Sequence, residues 1–229
     1  MGGKRKFRRY TLQEFLVVLD QSVKKVRFNG IHVHATWRPT IQDYREAKDK
    51  ESLIQAMWRF HTGTRKFTDI AQHVTIDPDG YIWEGRSLLT SPASTYDHND
   101  SDNDGVHPFM FEMIGNFDRG AEVLTGAQLE TTLGLCRGIM TRWKLGLPDI
   151  RFHREMQSGK TCPGSGIDKA KFLAQLAKPK PTTLTVEQVN SIINEYLKPA
   201  WSDAKSQEQK DEIHRLANEL RKAAGIRIE

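Results

Sequence analysis

A chain of 229 residues has room for one medium-sized domain and something small beside it. With 38% hydrophobic and 28% charged residues it reads as folded rather than disordered, and no apolar run approaches the ~18–20 residues of a membrane span. The net charge of +5 favours an anionic partner such as nucleic acid, a membrane surface or an anionic cell wall, and only two cysteines argue against a disulfide framework.

Residues 1–27 read as a basic tail (Lys4, Arg5, Lys6, Arg8, Arg9) leading into an amphipathic helix over 11–25, with Leu12, Phe15, Leu16 and Leu19 on one stripe. The apolar stretch is short, is broken by Gln13, Glu14 and Asp20, and has no small-residue cleavage site after it. It therefore does not resemble a signal peptide, and the protein is expected to be made in the cytoplasm without Sec export. "GIHVHATW" (30–37) changes to period two, a strand that sends His32 and His34 to one face and Ile31 and Val33 to the other. Two imidazoles on one face of a buried strand are costly unless hydrogen-bonded or metal-bound. The pattern does not choose between them.

A helix is expected from Lys50 to His61, then a hairpin in "IAQHVTIDPDGYIWEGR" turning at Asp77-Pro78-Asp79-Gly80. "SPASTYDHNDSDNDG" is a polar loop, acidic but without the spacing or closing Glu of an EF-hand. "PFMFEMIGNF" reads as a buried central strand, and Glu112 within it is a carboxylate that packing does not explain. A helix follows over 125–143, with Cys136 in its core stripe. In "RFHREMQSGKTCPGSGID" (151–168), His153 and Cys162 are potential zinc ligands in a polar, Gly-rich loop. Ser165-x-x-Asp168 looks like the cap of a helix beginning near Ser165, whose N-terminal field would favour the Cys162 thiolate.

The interleaved strands and helices indicate an α/β domain with a mixed central sheet flanked by helices, ending near Lys178 in the stiff linker "AKPKPTT". A small helical region follows over 179–229. One helix begins at the capping box Thr185-x-x-Gln188 and ends at Pro199. The other carries Ile213, Leu216, Leu220 and Ala224 and stops at Gly225.

Four stretches, "HVHATWRP", "DIAQHVTIDPDGYIWEGR", "FEMIGNFD" and "HREMQSGKTCPG", occur in an order that resembles the zinc-dependent N-acetylmuramoyl-L-alanine amidases. That superfamily includes phage lytic amidases and animal peptidoglycan recognition proteins. The resemblance covers about residues 28–178 and implies a catalytic domain there. It implies one Zn2+ held by His34, His153 and Cys162, with His32 a neighbour. Zinc would polarise the amide between N-acetylmuramic acid and L-alanine and acidify a water. Lys160 matches the position that steadies the oxyanion, and Glu112 matches the carboxylate that one branch of the family uses as general base. Gln72 stands where another branch has a catalytic Tyr. With His73 and Trp37 it is assigned to substrate. The partner implied is bacterial peptidoglycan, reached as by a phage or prophage endolysin released to the wall; residues 179–229 are then a candidate wall-binding or self-association region. A peptidoglycan-binding module without catalysis and a cytoplasmic muropeptide-recycling amidase are the alternatives. No nucleic-acid motif accompanies the basic charge.

Overall fold

The structure, a computed structural model, describes residues 5–178, 184–224 and 226. Residues 179–183 of the linker, Lys4 and the Gly225 stop therefore lie outside the described residues. The chain divides into two compact units, Met1–Lys178 and Pro179–Glu229.

The first unit is built on a six-stranded sheet in the order β1-β4-β3-β5-β2-β6. In chain order its elements are β1 (Arg9–Tyr10), α1 (Leu12–Ser22), β2 (Arg27–Ala35), α2 (Ile41–Glu46), α3 (Glu51–Arg59), β3 (Val74–Ile76), β4 (Ile82–Glu84), β5 (Val106–Met113), α4 (Gly126–Trp143), β6 (Ile150–Phe152), α5 (His153–Met156) and α6 (Lys169–Ala177). β1, β4 and β3 pair antiparallel, whereas β3, β5, β2 and β6 run parallel. The sheet is therefore mixed, with helices covering it, as expected from the sequence.

Strand alternation assigns the faces. Ile31 and Val33 of β2, with Phe109, Phe111 and Met113 of β5, are fully buried in a core shared with Phe15 and Leu19 of α1, Cys136 and Ile139 of α4 and Phe172 of α6. Each such side chain contributes ~1.5–3 kcal/mol by leaving water. The opposite face carries His32, His34, Met110 and Glu112, with His34 directly paired to Glu112 across the β2–β5 ladder. A second cluster, containing Tyr44, Ile54, Met57 and Trp83, packs α2 and α3 against the chain around the hairpin.

The N-terminal segment is not a free tail. β1 adds to the edge of the sheet beside β4. Phe7 is buried, Arg5 pairs with Asp69, and Arg9 lies 3.0 Å from the fully buried carboxylate of Asp77. The basic residues Arg5 and Arg9 thus have fixed partners that composition could not reveal. α1 opens on the reciprocal Thr11–Glu14 capping box.

In the second unit, α7 (Val186–Ile192) starts at the Thr185–Gln188 box and runs through a π turn (Ile193–Leu197) into α8 (Lys198–Asp203). Pro199 does not end the helix but stands in the first turn of α8, directly after the π turn. α9 (Gln207–Ala223) then packs Ala217 against Val189 and Ile193.

Candidate metal centre and active site

His34 stands next to the C-terminal end of β2, a parallel interior strand, on the face away from the main core. β6 runs beside β2 and delivers His153, the first residue of α5, to the same place. The imidazoles of His34 and His153 lie with ring centroids 4.5 Å apart. Cys162 completes the group: its Sγ is 3.7 Å from His34 Nδ1 and accepts the Ala35 N–H at 3.4 Å. One donor atom from each of the three lies within 4.8 Å of the others.

The chemistry of this donor set fits zinc. Two imidazoles and one thiol leave a fourth position for water or substrate, and Zn–N and Zn–S bonds of their usual lengths put N and S ~3.6 Å apart in a tetrahedron. Burial holds both imidazoles in the neutral form, His34 well below the ordinary histidine range and His153 also lowered. His34 Nε2 is buried without a partner among the described residues, which is costly for a purely structural histidine. Cys162 differs from the sequence expectation. The helix after it begins at Lys169, capped by Asp168, so no helix field reaches the thiol. Burial pushes its pKa up to about 12. A thiolate there needs a nearby cation, which a bound metal would supply.

One residue ties two of the three donors together. The backbone N–H of Arg154 donates to Cys162 O at 2.8 Å, and its guanidinium donates to Gly164 O and Ile167 O, each at 2.7 Å. The loop carrying Cys162 is thus fastened to the residue that follows His153. Sequence reasoning missed Arg154 because its partners are backbone carbonyls, which leave no trace in residue identity. It also missed Glu122, whose carboxylate accepts from the backbone N–H groups of Ile41, Gln42 and Asn116 and so joins the start of α2 to the loop after β5.

The donors line a cavity of about 390 Å³ shared with Trp37, Ser94, Glu112, Asn116 and Lys160. Glu112 is buried, has no ion-pair partner among the described residues, and burial alone raises its pKa to about 7. Lys160 is exposed on the loop that carries Cys162. Trp37 sits at the rim, 61% exposed, in the left-handed region (φ +57°) with its N–H on Gly115 O. Five of the residues singled out from sequence therefore converge with Trp37 on one cavity.

Gln72 and His73 do not. Gln72 is fully buried and donates to Thr75 Oγ1 at 2.8 Å. His73 stacks on His107 and Phe109, accepts the Met110 N–H on Nδ1 and faces Thr90 O with Nε2. Both are buried outside the residues that line the cavity. His32 is likewise separate from the donors, its Nδ1 3.2 Å from Thr95 Oγ1.

A mixed α/β sheet that gathers two imidazoles and a thiol beside a buried carboxylate defines a class, that of domains built around a zinc-type donor set. The chain matches the N-acetylmuramoyl-L-alanine amidase family over residues 24–165, and it belongs to that family. A pig protein named N-acetylmuramoyl-L-alanine amidase is 30% identical over 115 residues, half of this chain but 18% of that one. The matches span about a fifth of the length of the curated relatives. Among solved structures, an endolysin amidase from Clostridium intestinale URNW aligns with a TM-score of 0.52 and 21% identity, covering 67% of this chain and 86% of that one. Drosophila PGRP-LB aligns with a TM-score of 0.51 and 19% identity, covering 67% and 82%. These two likenesses show the shared fold.

Proposed function

We propose that the chain is a zinc-dependent hydrolase of peptidoglycan, cutting the amide between N-acetylmuramic acid and L-alanine. The observation that carries this reading is the convergence of His34, His153 and Cys162 with Glu112 and Lys160 around one cavity, in a chain of the amidase family. His34, His153 and Cys162 would hold the metal. When bound, zinc supplies a Lewis acid that polarises a carbonyl and acidifies water.

The remaining steps belong to the protein. Glu112, with its pKa raised to about 7, takes a proton from the attacking water and returns it to the departing amine of L-alanine. Lys160 presents its ammonium to the carbonyl oxygen as negative charge develops there. Trp37 offers an exposed indole at the rim, an apolar surface for the substrate beside the cut bond. The intact donor set counts against a module that only binds. By the same reading the enzyme acts on the wall as an endolysin does.

The test is release of amino groups from purified peptidoglycan. Release should stop when zinc is chelated and return when zinc is added back. Hydrolysis that continues undiminished in the metal-free protein would overturn the zinc reading.

A further inference from the structure

An imidazole has two nitrogens, and a metal takes the electron pair of only one. Which one is free depends on what the other is bonded to. Among the described residues His34 has no side-chain partner that decides this, since its Nδ1 faces Cys162 Sγ at 3.7 Å and Ser94 Oγ at 3.5 Å, while Nε2 has none. His153 differs. It opens the single turn of α5, and Gln157 follows that turn four residues on, so the two side chains stand on one side of it. His153 Nε2 lies 2.9 Å from Gln157 Oε1.

An amide oxygen only accepts hydrogen bonds, so a hydrogen bond at this distance puts the hydrogen on Nε2. That leaves Nδ1 as the nitrogen with the free electron pair. We propose that Gln157 is a positioning residue of the metal centre: it holds His153 in the Nε2–H tautomer, so that Nδ1 is the atom given to the metal alongside His34 and Cys162. The proposal rests on the reading of these three residues as ligands.

Gln157 is exposed, and its backbone N–H on His153 O does not depend on the side chain. Substitution there leaves the core and the turn intact. Gln157→Met keeps length and removes the acceptor, whereas Gln157→Glu keeps an acceptor.

The experiment uses the full chain, 15N-labelled at histidine. Imidazole nitrogen shifts are recorded in the metal-free protein, and zinc affinity is then measured by competition with a chromophoric chelator. The parent and Gln157→Glu should carry the His153 hydrogen on Nε2. Gln157→Met should show a mixture of tautomers and a zinc affinity 10–100-fold weaker, as is usual when the partner of a ligating histidine is lost. The Glu variant should recover affinity to near the parent's. An Nδ1–H tautomer in the parent, or unchanged tautomer and affinity in Gln157→Met, would overturn the role of Gln157 alone. Undiminished zinc binding by His153→Ala would instead overturn the ligand assignment on which it rests.

Discussion

Glu112 shows how a residue's neighbours decide its chemistry. Strand register sets it against His34 on one side and Thr75 on the other, with no ion-pair partner among the described residues, and burial raises its pKa to about 7. In the metal-free protein the linkage has a definite sign. A carboxyl group whose folded pKa exceeds its unfolded value favours the folded state at low pH, and that contribution is lost as pH rises from ~4.5 to ~7. Glu112→Gln should therefore gain stability over the parent across that window, by roughly 3 kcal/mol at its upper end, as read by denaturant unfolding at several pH values. With zinc loaded equally, the same variant should lose ~10²–10⁴ in turnover, because an amide cannot take the proton. Activity close to the parent's would make Glu112 structural. The two strand histidines offer a second residue-level test. His34→Ala should abolish most zinc binding, while His32→Ala, whose imidazole is held by Thr95, should keep the metal; elemental analysis decides, and the reverse result would mean the ligand is misassigned. Period-two alternation made this pair legible in the sequence, and the motif order selected His34. Gln72 and His73, assigned to substrate from motif position, are buried outside the cavity lining, since a motif position carries no information on depth.

Elements with a strong local pattern, namely β2, β5 and α4, could be read directly from the sequence, and the three-residue strands β3 and β4 from the turn signal between them. Short ones could not: β1 has two residues, β6 three and α5 four, too few for any periodicity. Their existence depends on distant partners, β1 on β4 and β6 on β2. Asp77 shows the same dependence. Its side chain, fully buried at the hairpin turn, accepts from Trp83 Nε1 at 2.8 Å and from the Tyr81 N–H at 2.9 Å, with the Tyr44 hydroxyl at 2.9 Å and Arg9 at 3.0 Å. It thereby joins β1, α2 and the hairpin. Asp77→Ala should cost about 3–5 kcal/mol, since it strands Arg9 and several donors. A loss below 1 kcal/mol in denaturant unfolding would show that the network is not what holds β1 to the sheet.

At the scale of the whole molecule, the division at Lys178 separates the unit that carries the site from a helical unit with a small core of Val189, Ile193 and Ala217. A chain ending at Lys178 should stay folded and cleave soluble muropeptides while sedimenting less with whole walls. Unchanged sedimentation would remove wall targeting from the second unit. The central claim concerns the bond that is cut, and mass spectrometry of peptidoglycan digested by the full chain tests it most directly. The account predicts intact glycan strands and peptides with new L-alanine amino termini, absent when Cys162→Ser replaces the parent. Shortened glycans, cuts between amino acids of the stem peptide, or no products at all would contradict it.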